Sequence, residues 1–107
     1  MSLKVFIRFC ERKVVVRYTK RAKEELEIAF DWYESQKLGL GIEFIDAIEK
    51  SVDNIVEFPQ MYQIIYRDFR RALSSKFPYV IFYTLQEDSI IIHAILNNRQ
   101  NPMDYPK

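Results

Sequence analysis

The 107-residue chain has one cysteine, one histidine, two glycines and four prolines. The lone Cys10 excludes an internal disulfide and any multi-cysteine metal site, and a reducing cytoplasm is the compartment expected of such a chain. Two glycines and four prolines exclude collagen-like, linker-rich and low-complexity organisation. No apolar run approaches the roughly 18 residues needed to cross a bilayer. The start is interrupted by Lys4 and Arg8 and shows no small-residue cleavage site, so neither a signal peptide nor a membrane role is expected. No solenoid-length repeat is present. Hydrophobic residues make up 49% and aromatic residues 15%, enough for one folded domain with large rings to bury.

The net charge of +1 conceals three blocks: residues 1–18 carry +4, 19–57 carry −5 and 58–107 carry +2. Periodicity gives these blocks structure. Lys13-Val14-Val15-Val16-Arg17-Tyr18 is short and β-branched and reads as a strand. Thr19 caps a helix whose stripe is Ala22, Leu26, Ala29, Phe30 and Tyr33 and which runs to about Gln36. Gly39 and Gly41 mark a turn, each able to take positive φ cheaply. Phe44, Ile45, Ile48, Val52, Ile55 and Val56 form the stripe of a second helix, stopped by Pro59. Strands follow: residues 64–67 leading into 69–73, then 77–85, a turn at Gln86-Glu87-Asp88, and 89–96.

This order predicts an α+β domain over residues 13–107: an N-terminal strand, an antiparallel helix hairpin, then a three-stranded antiparallel meander. Residues 1–12 form an extension, read as an extra strand or an arm, of which Met1-Ser2-Leu3 can be a cloning remnant. With the helices on one face, the other face of the sheet is expected to be open and basic, with Arg67, Arg70, Arg71, Lys76 and Arg99 available to an acidic or phosphate-bearing partner.

Several side chains invite chemistry. Alternation sends Arg70 and Arg71 to opposite faces; one of them can clamp a phosphate, or both can be edge charges that block aggregation. Lys76 can offset a developing negative charge. Arg99 and Tyr105 follow the last strand and can hold a scissile phosphate and move a proton or stack on a base; Tyr105 can equally latch the tail. His93 lies in an apolar row with Ile91 and Ile95, which favours a hydrogen-bonded core or edge role over a general base. No second ligand accompanies it, so no metal and no cofactor are expected. Trp32 and Tyr33 are assigned to helix-hairpin packing, and Cys10 to a small apolar role.

Taken in order, Val15-Val16-Arg17-Tyr18-Thr19 with Ala22 and Leu26, Trp32-Tyr33, Leu40-Gly41 with Phe44, Ile55 to Pro59, Phe69-Arg70-Arg71, Phe77-Pro78-Tyr79-Val80-Ile81-Phe82-Tyr83 and Arg99 with Pro102 resemble the RelE/ParE superfamily of type II toxin–antitoxin toxins. The resemblance covers about residues 13–105. It implies a growth-inhibiting toxin of a plasmid- or chromosome-stabilisation module, with a cognate antitoxin that is acidic and partly disordered. One branch is RelE-like and cleaves ribosome-bound mRNA without metal. Arg99, Tyr105, Arg71 with Arg70, and Lys76 would carry that chemistry here. The other branch is ParE-like and poisons DNA gyrase by binding. The RNA-cleaving branch carries an arginine where this chain has Val80, often a histidine at Asn97 and a second base at Gln100. Because valine cannot hold a phosphate, the binding branch is the better match; the RNase and an inactive, decayed toxin are the alternatives.

Overall fold

The computed structural model describes residues 4–7 and 13–98. Strands β1 (Lys4–Ile7) and β2 (Lys13–Tyr18) precede helices α1 (Lys20–Gln36) and α2 (Leu40–Glu57). Strands β3 (Ile64–Tyr66), β4 (Phe69–Leu73), β5 (Tyr79–Gln86) and β6 (Ser89–Asn97) follow. They form one sheet in the order β1-β2-β6-β5-β4-β3. The β2–β6 pair is parallel because the helix hairpin carries the chain over the sheet between them. The other pairs are antiparallel. This is the α+β order expected from the sequence; Lys4–Ile7, open there between a strand and an arm, pairs with β2, and the 64–73 stretch is two strands folded on each other at Arg67-Asp68.

Local chemistry sets the helix ends. Thr19 accepts the Ala22 amide at 3.1 Å and caps α1, satisfying one of the donors a helix start leaves free. Gly39, at φ 90, turns the chain into α2 but offers no side chain as a cap. Glu34 supplies it from the preceding helix, its two carboxylate oxygens each 2.9 Å from the amides of Gly39 and Gly41. An anion there also complements the helix dipole. Unlike Gly39, Gly41 does not use the positive φ open to a glycine. It is small because the two helices meet there: a Cβ would fall 2.8 Å from the Phe30 ring and 2.9 Å from Glu34.

The main core lies between the helices and the sheet, where Val16, Leu26, Phe44, Ile55, Ile81 and Ile92 are buried. The opposite sheet face departs from expectation. It is not an open basic surface: Val80, Phe82, Ala94 and Leu96 are buried on it, with Ile65 and Phe69 packed against them. Burial on both faces explains the unbroken run Val80-Ile81-Phe82-Tyr83, which alternation alone would not produce.

The last strand departs from simple alternation too. Phe82 pairs with Ala94 and Tyr83 with Ile92, which leaves His93 as the extra residue of a bulge. Ile92 and Ile95 therefore both join the helix-side core, and His93 does not alternate regularly with Ile95.

Candidate functional site

The cations singled out in the sequence do not converge. Arg70 lies on the helix side of β4, where its Nη1 donates to the carbonyls of Tyr62 at 2.6 Å and Gln60 at 3.3 Å. Beside it, the Tyr83 hydroxyl donates to Pro59 O at 2.8 Å. Arg70 and Tyr83 together pin the 59–63 connection. Burial pushes the Tyr83 phenol well above its usual pKa, partly offset by the Arg70 charge.

Arg71 points to the other face, paired across the ladder with Phe82. Among the described residues its Nε is a buried donor with no hydrogen-bond partner. Arg67 and Lys76 lie beyond opposite ends of β4, both exposed and both at positive φ, 53° and 68°. Arg67 donates from Nε to the Tyr66 hydroxyl at 3.1 Å and lies over that ring, 5.3 Å from its centroid. Arg99 and Tyr105 fall outside the described residues.

His93 is half-buried on the second face. Its Nε2 is 2.9 Å from Thr84 Oγ1, and its ring is 4.7 Å from that of Phe69. Burial lowers its pKa, with the Asp68 charge acting the other way. A lowered folded-state pKa means that the unfolded chain binds the proton first. The His93 contribution to stability is therefore full above the unperturbed value of about 6.5, declines as pH falls below it and levels off below the folded pKa. Replacing His93 with Gln is expected to flatten the stability–pH curve in that window, as read from urea midpoints at a series of pH values. An unchanged difference between the two proteins across the window would contradict this.

A concave feature that the sequence reading missed lies between α1 and the end of β6. It is a groove of about 660 Å³ lined by Glu25, Ile28, Ala29, Trp32, Tyr33, Pro78, Tyr79, Ile95, Leu96 and Asn97. It exists because β2 pairs with β6 only as far as Ile92. Beyond that point α1 closes the strand edge with side chains. Thr19 Oγ1 donates to His93 O at 3.1 Å, and Glu25 Oε1 accepts the Ile95 amide at 2.8 Å while its Oε2 accepts Arg21 Nε at 2.9 Å.

On the groove floor Tyr79 meets the Tyr33 ring edge-on at 6.2 Å and pairs across the ladder with Asn97. Burial raises the pKa of both tyrosines. Tyr33 packs on Phe44, Phe77 and Tyr79, as helix-hairpin packing requires. Trp32 does not share that role: it meets Tyr33 edge-on at 5.0 Å yet remains 58% exposed, with Ile28 one turn away at 69%. The readable signal was this i,i+4 apolar pair lying outside the core stripe. The groove can accept apolar side chains, whereas β6 offers little unpaired backbone beside it.

Among the described residues no group of three or more His, Cys, Asp or Glu side chains is placed to hold a metal ion. No helix among them is long and apolar enough to cross a membrane.

Comparison with known proteins adds three findings. Residues 16–102 match the family described as ParE toxin of type II toxin–antitoxin system, parDE. A solved structure titled "Chromosomal ParDE TA system from P. aeruginosa" is similar in fold, with a TM-score of 0.70 at 14% identity over 78% of this chain and 95% of that one. No curated protein sequence matches.

Proposed function

The chain belongs to the ParE toxin family of type II toxin–antitoxin systems, and from that premise we propose that it arrests growth by binding a macromolecular target, DNA gyrase, and not by cutting RNA. One observation carries the choice. Position 80, where the RNA-cleaving branch has an arginine, is a valine 3% exposed in an apolar cluster with Phe82, Ala94 and Leu96. Arg70 adds support, since its guanidinium is committed to the carbonyls of Tyr62 and Gln60 and stands on the opposite face from Arg71. The RNA-cleaving reading draws on Arg71, whose unpaired Nε is a donor that an anion would satisfy.

A toxin of this family has a cognate antitoxin. In this reading the antitoxin seats an apolar stripe of a helix in the α1–β6 groove. Thr19 and Glu25 already occupy the carbonyl of His93 and the amide of Ile95, so an added strand would gain little there.

Expression without antitoxin is the test. The expected result is filamentation and an SOS response with intact mRNA, together with inhibition of purified gyrase in a supercoiling assay. Cleaved mRNA with arrested translation would replace this reading with the ribonuclease one, and unimpaired growth would mark an inactive toxin. Trp32→Asp is expected to remain toxic and to escape neutralisation by the antitoxin. Neutralisation as complete as for the parent would remove the groove from the reading.

A further inference from the structure

We infer that β3 is the seat of a weak two-fold contact between copies of this chain, an interface separate from the groove and independent of the toxin's target. β3 is the last strand of the sheet. The Arg71 amide donates to Gln63 O at 3.1 Å while Ile64 pairs with Arg70. In an antiparallel ladder that pattern turns the backbone groups of Gln63 toward β4 and those of Ile64 away from the sheet. Among the described residues the edge is therefore unpaired at Ile64.

Edge strands are ordinarily protected by charge, by proline or by a covering segment. Here the strand is Ile64-Ile65-Tyr66, with no charged residue. Four large apolar residues in the same short stretch are exposed: Phe58 at 55%, Met61 at 66%, Ile64 at 49% and Tyr66 at 41%.

This edge is self-complementary. A two-fold axis through Ile64 pairs its amide with the partner's carbonyl and the reverse, and sets the two Ile64 side chains side by side. The same axis brings the Arg67-Asp68 end of one copy, whose two charges offset each other, against the Gln60-Met61 end of the other, where the Arg70 guanidinium holds Gln60 O. A three-residue strand and a small apolar patch fall short of a standard stable interface. The contact is accordingly concentration-dependent.

Sedimentation equilibrium of the full chain is expected to show an average mass rising with concentration from 12.9 kDa toward twice that value. Ile64→Lys sets two like charges opposite each other and is expected to hold the chain at monomer mass throughout. Leu38→Lys, at the 90% exposed hairpin tip, should associate like the parent. On oxidation in a Cys10→Ser background, Ile64→Cys should cross-link copies and Leu38→Cys should not. Because residue 64 is half-exposed, neither change there threatens the core. A parent chain that stays monomeric at millimolar concentration, an Ile64→Lys chain that associates undiminished, or equal cross-linking at 38 and 64 would each overturn the inference.

Discussion

Phe44→Ala is expected to lower the unfolding free energy by about 3–5 kcal/mol, the range for deleting a buried aromatic ring. Phe44 is 0% exposed. Its ring lies 5.2 Å from that of Tyr33, 5.4 Å from Phe77 and 5.0 Å from Tyr79, the last two edge-on. Such aromatic pairs add to the area term, and three rings cannot all collapse into the space left by one. In a domain of this size each kcal/mol moves the melting temperature by about 4–8 °C, so calorimetry should record a fall of about 12–40 °C. Leu38→Ala, on a side chain 90% exposed, should change stability by less than about 0.5 kcal/mol. A Phe44→Ala loss below about 1 kcal/mol would mean that the cluster is not packed as described. The change also reaches the groove, since Phe44 supports Tyr33 and Tyr79, which form its floor.

What could be read from the sequence was local. Thr19 announces α1 because a cap acts on amides three residues away, and Ala22, Leu26 and Ala29 announce its buried face because helical period is a near-neighbour property. The succession of strands along the chain followed from β-branched runs and from the turn read at Gln86-Glu87-Asp88, which the structure narrows to Glu87-Asp88 between β5 and β6. What escaped was long-range. An apolar run such as Val80–Tyr83 does not say whether one face or two will be covered, and the face away from the helices proved to hold a second apolar cluster. The bulge at His93 is invisible in β6 itself. Its partners are Thr19 and Glu25, some 70 residues earlier, and a glutamate among five acids on α1 carries no mark of that duty. Arg70 and Arg71 were rightly sent to opposite faces by alternation. That Arg70 would close on two carbonyls of the 60–62 segment depended on where the chain returns after Pro59. The groove has the same origin, since it exists only because β2 ends four residues into its pairing with β6.

Gly41→Val is expected to destabilise the protein by about 3 kcal/mol, at the upper end of overpacking costs. The sign is informative, because Gly41 lies in the first turn of α2 without positive φ. At such a site replacing glycine ordinarily gains about 0.5–1 kcal/mol in helix propensity. Here the new Cβ meets two Phe30 ring carbons at 2.8 Å and Glu34 Oε1 at 2.9 Å. The half-buried Phe30 ring must turn away from the helix crossing, and Glu34 can retreat only by releasing the amides of Gly39 and Gly41. Charge-assisted bonds of that kind are worth about 1.5–3 kcal/mol each. A double-mutant cycle separates the two costs. Glu34→Ala alone should destabilise through the lost cap. Combined with Gly41→Val it should cost less than the sum of the single changes, because one carboxylate would otherwise be lost twice. Strict additivity in urea titrations would show that Gly41→Val does not displace the Glu34 carboxylate, an undiminished stability of Glu34→Ala would show that Glu34 does not cap α2, and a stabilising Gly41→Val would show that the helices do not approach each other at this glycine.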